Sequence, residues 1–204
     1  VDWLLAGLRH EGVPVSCLED LPQLLDGPRA RALARKLTRA SAAPGPRALV
    51  EQTVRALLPE IAPERLWLQT FAHVRILLPG DHAAAFPPHC DFGLGHGLHE
   101  RNLWLSLSEA RGDGALHALP LLDSLALLHR TPEVRGIFHG PVVIPPVPTD
   151  AGEALLFTPL HLHRASPPTG GCRVSMDLRI LPRGTVAPDL TFTPLHPGRT
   201  PAVP

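Results

Sequence analysis

Apolar residues recur every three to four positions through the first sixty residues, the spacing of a helix that buries one face. VDWLLAGLRHEG predicts a first helix, with Asp2 placed to cap it. SCLEDLPQLLDG predicts a second, with Ser16 or Cys17 near its start and Gly27 as its stop, and ARALARKLTRASAA a third. PGPRALVEQTVRALLPEI puts Leu49, Val50, Val54, Leu57, Leu58 and Ile61 at helical spacing, with Pro46 just inside the start. Arg31, Arg35, Lys36 and Arg39 make the third helix basic. A solvated face accounts for that; docking of a carrier protein or an anionic substrate is the sharper alternative.

From Leu66 the period changes to two. LWLQTFAHVRILLPG is aromatic and β-branched and ends at Pro-Gly. In NLWLSLS, Asn102, Trp104 and Ser106 share one face and Leu103, Leu105 and Leu107 the other. GPVVIPPVP, GEALLF and CRVSMDLRILP are further short runs bounded by glycine or proline. Short strands with frequent turns predict a sandwich or barrel. Leu119 to Gly140 reads either as containing a helix or as an insertion over a site. The tail from Arg183 is proline-rich and without period, so it is expected to wrap the surface or lie loose. The organisation expected is a single domain over 1–204: a helical lead at 1–65, a β core at 66–182 and a tail at 183–204.

Composition narrows the function. The 204 residues balance 19 basic against 19 acidic side chains, which argues against a dedicated nucleic-acid binder. No apolar run approaches the roughly 18 residues that span a bilayer. The apolar block behind Asp2 is too short for a secretory signal, so no membrane association and a cytoplasmic location are expected. The three cysteines, Cys17, Cys90 and Cys172, are odd in number and far apart, which reads as reduced thiols. The 25 prolines argue against a long-helix bundle.

Candidate chemistry starts at FPPHCDFGLGH, Phe86 to His96. On extended chain His89 and Asp91 share a face and Cys90 turns away. Imidazole and carboxylate side by side form the short arm of a 2-His-1-carboxylate triad, which leaves positions open on Fe(II). A capped turn holding a polar pair is the plain alternative. The triad needs a second, distant histidine, and both His161 and His163 qualify by chemistry. Ten positions beyond His163, Arg173 opens a strand in which Arg173, Ser175 and Asp177 share a face. A guanidinium beside a hydroxyl can clamp a carboxylate; an ordinary ion pair of Arg173 with Asp177 is the other reading.

His89-x-Asp91, a histidine 72 positions after Asp91 and an arginine ten further on resemble the iron(II)- and 2-oxoglutarate-dependent dioxygenases. The likeness is to the phytanoyl-hydroxylase-like branch, and within it to the dioxygenases of streptomycin-type aminoglycoside biosynthesis. It runs from about Trp67 to Pro182 through LQTFAHVRILLPGD, PPHCDFGLGH, ERNLWLSLSEARGDGAL, GEALLF and RVSMDLRI. The family spacing selects His163 over His161. The resemblance implies a mainly β fold, a double-stranded β-helix (a jelly-roll, cupin-like) with the N-terminal helices packed outside. It implies Fe(II) on His89, Asp91 and His163, which would be the catalytic centre. It further implies 2-oxoglutarate held by Arg173 and Ser175, with Asn102 assisting, and O2 as oxidant. The reaction implied is ferryl hydrogen abstraction and, usually, hydroxylation; the substrate implied is a small polar natural-product intermediate such as a sugar, cyclitol or amino-acid derivative. Halogenation is disfavoured, because halogenating relatives replace the acid that stands here as Asp91. His96, Arg75, Trp104 and Arg164 are candidate substrate contacts.

Two positions depart from the family pattern: Gly93 replaces a frequent second acid, and Arg164 replaces a glycine after the distal histidine. Arg164 could narrow the mouth or meet an anionic substrate. The rival reading is a cupin-like metal-binding protein without 2-oxoglutarate chemistry, which would have no use for Arg173 and Ser175. A third is a catalytically silent scaffold.

Overall fold

The computed structural model describes residues 1–58, 66–131, 136–139, 141–182 and 192–194. The lead is helical as its apolar spacing predicts. Helix α1 (Asp2–His10) buries Leu4 and Leu8, one turn apart. Helix α2 (Leu21–Leu24) is a single turn. Helix α3 (Gly27–Ala40) buries Ala30, Leu33, Ala34 and Leu37, and α4 (Pro44–Leu57) buries Val50 and Val54.

Gly27, expected to end a helix, instead opens α3. Asp26 caps it by accepting the Arg29 amide at 2.8 Å, and Pro28 follows in the first turn. A Cβ on Gly27 would lie 2.5 Å from the Asp81 carboxyl carbon, so close approach rather than chain termination explains this glycine. On α3, Arg35, Lys36 and Arg39 are exposed; Arg31 pairs with Asp81 and Lys36 with Glu11, as a solvated face does.

The strands are β1 (Leu66–Gln69), β2 (His73–Leu77), β3 (Phe86–His89), β4 (Arg101–Ser106), β5 (Leu116–Ala118), β6 (Pro146–Val147), β7 (Ala154–Phe157), β8 (His163–Ala165), β9 (Arg173–Pro182) and β10 (Phe192–Pro194). They form two antiparallel sheets. The larger runs β10-β1-β9-β4-β7, with β2 also on β9; the smaller runs β3-β8-β5-β6. The chain is thus mainly β with helices outside. The run that starts at Leu66 forms two strands, because β1 and β2 pair with different stretches of β9. Buried Ser41, just past α3, accepts the Ala72 amide at 2.9 Å at that break, and Thr38 accepts Val74's at 2.9 Å.

Strand β9 separates two environments. Val174, Met176, Leu178 and Ile180 face the helical side and join Leu4, Leu8, Val50 and Val54 in the main apolar core. Arg173, Ser175 and Asp177 point the other way, toward the smaller sheet. The same division holds on β4, with Leu103 in the core and Asn102 and Trp104 lining the cavity. Among its described residues GPVVIPPVP contributes the two residues of β6, Pro146 and Val147. Leu119 to Gly140 does contain a helix, α5 (Leu121–Arg130), whose Ser124 hydroxyl accepts the Leu162 amide at 2.9 Å. Within the proline-rich tail, β10 adds to the larger sheet beside β1. The remaining tail positions, 183–191 and 195–204, and the end of the lead, 59–65, lie outside the described residues. No described helix is long and apolar enough to cross a membrane.

Candidate metal centre

His89 ends β3 and His163 begins β8, and the two are directly paired across the ladder. Opposed residues in an antiparallel pair project to the same face, so both imidazoles enter the cavity, with ring centroids 4.1 Å apart. Each ring is fixed by the carbonyl two residues before it. His89 Nδ1 donates to Pro87 O at 2.9 Å and His163 Nδ1 to His161 O at 3.0 Å. That tautomer leaves both Nε2 lone pairs facing inward, as metal-ligating histidines require.

Asp91 does not lie on the strand. It starts a 3-10 turn, Asp91–Leu94, closed by Gly95 at φ +99°. Its Oδ1 stands 3.4 Å from His89 Nε2 and 3.9 Å from His163 Nε2. Its Oδ2 accepts from Asn102 Nδ2 at 2.5 Å and Arg179 Nη2 at 3.0 Å. Burial pushes this carboxyl up, but His89, His163, Arg179 and Asn102 together outweigh it and hold the group well below the usual carboxylate range. His163 is pushed down to about 4 by burial, then by His89, so it is neutral at pH 7. One ligand atom from each of the three residues falls within 4.8 Å of the others, and all three are buried. Two imidazoles and a carboxylate gathered on one side fit a divalent iron and leave room opposite. Cys90 is buried and turned away, with its amide on Gly136 O at 2.9 Å.

A cavity of about 230 Å³ joins this cluster to Arg173. Arg173 is 1% exposed, and its Nε and Nη2 find no hydrogen-bond partner among the described residues. Its Nη1 only grazes the carbonyls of Gly114 and Ala115, at 3.4 and 3.5 Å. Burial pushes the guanidinium down to about 10, so it stays charged at neutral pH. Ser175 Oγ and Trp104 Nε1 are likewise buried without partners, and the Trp104 ring centre lies 5.8 Å from the Arg173 guanidinium carbon. Asp177 does not answer Arg173. It is taken by Arg75, at 2.8 and 3.3 Å.

The candidate substrate contacts divide. Arg75 and His96 line the cavity, Arg75 on Asp177 and His96 Nδ1 3.2 Å from Glu100 Oε2. Trp104 lines it too, packed against Arg173. Arg164 does not. The pleat puts His163 and Ala165 in the cavity and turns Arg164 to the opposite face, where its Nη2 lies 3.3 Å from His117 Nδ1. Asn102 reaches the cavity but spends its amide on Asp91. His161 remains outside the cluster, bonded to Thr158 at 2.9 Å. Sequence reasoning missed Arg179 and Glu100. Continuing the alternation 173, 175, 177 by one step gives 179, so the signal for Arg179 was present.

Two antiparallel sheets thus line a cavity that holds a His-Asp-His donor set able to bind a metal ion. By sequence the chain matches no protein-family model and no curated protein. By structure it is similar to ThoJ, a non-heme monooxygenase in its apo form, at 17% identity over 83% of this chain and 72% of that one, with a TM-score of 0.50. It is also similar to EvdO2 from Micromonospora carbonacea var. aurantiaca complexed with 2-oxoglutarate, at 22% identity over 74% of this chain and 64% of that one, TM-score 0.47. A third is EvdMO1, at 19% identity over 57% of this chain, TM-score 0.42, of which the chain spans 28% of the length. At 17% identity the likeness to ThoJ is one of fold.

Proposed function

We propose that the protein is an Fe(II)- and 2-oxoglutarate-dependent oxygenase that hydroxylates a small polar natural-product intermediate. The observation that carries this is Arg173: a buried, charged guanidinium in the same cavity as the triad, with two nitrogens unpartnered among the described residues, and with the buried, likewise unpartnered Ser175 hydroxyl two positions along the same strand face. Burying a charge without a partner is costly, so such a group is expected where a ligand anion completes it. A carboxylate is the anion that a guanidinium and a hydroxyl side by side suit.

His89, Asp91 and His163 would hold Fe(II), and the iron with bound 2-oxoglutarate would supply the oxidising chemistry on O2. The chain's own part is placement. Arg173 and Ser175 take the far carboxylate of the co-substrate, and Trp104 walls the same pocket. Asn102 serves the ligand Asp91, with any contact to the co-substrate secondary. Arg75, His73 and His96 offer polar contacts to a hydroxylated or aminated substrate at the cavity's edge. The strand orders β2-β9-β4-β7 and β3-β8-β5-β6, with the chain passing between sheets, support a double-stranded β-helix. We take residues 1–204 as a single unit built on that core, acting in the cytoplasm.

The test is turnover without added substrate: protein, Fe(II), 2-oxoglutarate and air, with succinate quantified by mass spectrometry. Slow succinate formation that disappears in His163→Ala supports the reading. No succinate from folded, iron-loaded protein, with 2-oxoglutarate failing to bind, contradicts it.

A further inference from the structure

We propose that Arg179 is a positioning residue that restricts Asp91 to coordination through one oxygen. The inference rests on the metal reading above and concerns how the chain shapes its own ligand. Asp91 sits in a turn, so no ladder geometry fixes its carboxylate. Two side chains do so from the larger sheet. Asn102 on β4 and Arg179 on β9 are directly opposed across the ladder, and both reach the same atom, Oδ2, at 2.5 and 3.0 Å. With Oδ2 held by two donors, Oδ1 alone faces the imidazole nitrogens. Rotating the carboxylate to offer both oxygens to a metal would break a buried charge-assisted hydrogen bond.

The guanidinium is itself held. Arg179 Nε lies 3.3 Å from Glu100 Oε2, and Glu100 Oε1 accepts the Gly97 amide at 2.7 Å. Its backbone amide donates to Gln69 Oε1 at 3.0 Å. Glu100 Oε2 is also 3.2 Å from His96 Nδ1 at the cavity's edge. Charged groups therefore follow one another from His96 through Glu100 and Arg179 to Asp91, the two steps at Glu100 being ion-pair approaches and the last a hydrogen bond. Arg179 has a carboxylate on each side, a hydrogen bond to Asp91 and an ion-pair approach to Glu100, whereas Arg173 has none among the described residues. The two arginines of β9 divide the labour: Arg173 waits for a ligand, and Arg179 orients a carboxylate already in the chain. One-oxygen ligation by Asp91 would leave more of a bound ion's coordination positions open to other ligands.

Cobalt(II) added to the apo-protein reads this directly, through affinity and through the visible absorption that reports coordination number. Arg179→Gln is expected to weaken Co(II) binding by on the order of 10- to 100-fold and to shift the visible bands. Arg179→Lys, which restores one donor to Oδ2, is expected to move both back toward wild type. A glutamine variant with wild-type affinity and bands overturns the proposal, as does a lysine variant no better than glutamine. If Arg179→Gln fails to fold, Glu100→Gln carries the test, since it loosens the far side of the guanidinium without touching a ligand. A small loss of affinity with bands shifted in the same sense supports the proposal, and a wild-type spectrum overturns it. Failure of the wild-type protein to bind Co(II) would instead overturn the metal reading itself.

Discussion

Arg173 carries a positive charge into the interior, where among the described residues its Nε and Nη2 have no partner and its Nη1 has only two long contacts to carbonyls. In the free protein this costs stability, so Arg173→Met is expected to raise the melting temperature of the apo-protein, by an amount corresponding to about 1–3 kcal/mol. The same substitution is expected to weaken 2-oxoglutarate binding by about 100-fold or more, while metal binding survives. Calorimetric titration with 2-oxoglutarate on the Co(II)-loaded protein checks the pair of effects; a cupin-like protein without this co-substrate would show only the first. Asp177 makes a second prediction. Burial pushes its carboxyl up, but Arg75 outweighs that, and the folded-state value falls below the ordinary one. A depressed carboxyl stabilises above its unfolded value, near pH 4, and loses that contribution as pH falls through the folded value. Because Arg75 is exposed, the gain is about 1 kcal/mol or less. Urea melts should find Asp177→Asn less stable at pH 7, with the difference from wild type shrinking as pH falls below the ordinary carboxyl value. At this scale the pairing of His89 with Asp91 and the shared face of Arg173 and Ser175 were legible from residue type and spacing, while His163 over His161 came from the resemblance. The use of Asn102 was not, because a side-chain amide suits a co-substrate and a ligand carboxylate equally well.

Among elements, the alternation along β9 was readable in full, and it separates core from cavity as the pattern predicts. Arg164 is the instructive contrast. Adjacent residues on a strand face opposite ways, so a ligand at His163 by itself places its neighbour outside the cavity. The division of one long run into β1 and β2 was not legible, because what decides it is distant: Ser41 and Thr38 satisfy amides at the break. Ser41→Ala leaves the buried Ala72 amide without that acceptor, and a loss of about 1–3 kcal/mol is expected in chemical denaturation. Unchanged stability would show that the break holds without the serine. Gly27 was misread for a similar reason, since what requires it is Asp81, far along the chain.

For the whole molecule, the two sheets bring together groups that lie far apart in sequence. His89 and His163 meet across the smaller sheet, and the larger sheet supplies Asn102, Arg173 and Arg179 opposite them. Period-two patterning announced strands but could not order them. The measurement that tests the central claim most directly is anaerobic titration of the apo-protein with Fe(II) and 2-oxoglutarate, followed in the visible range. The account predicts a weak charge-transfer band that needs both components, and that is lost in His163→Ala. Folded, iron-loaded protein that shows no band on adding 2-oxoglutarate would contradict it and leave a metal-binding sandwich without this chemistry.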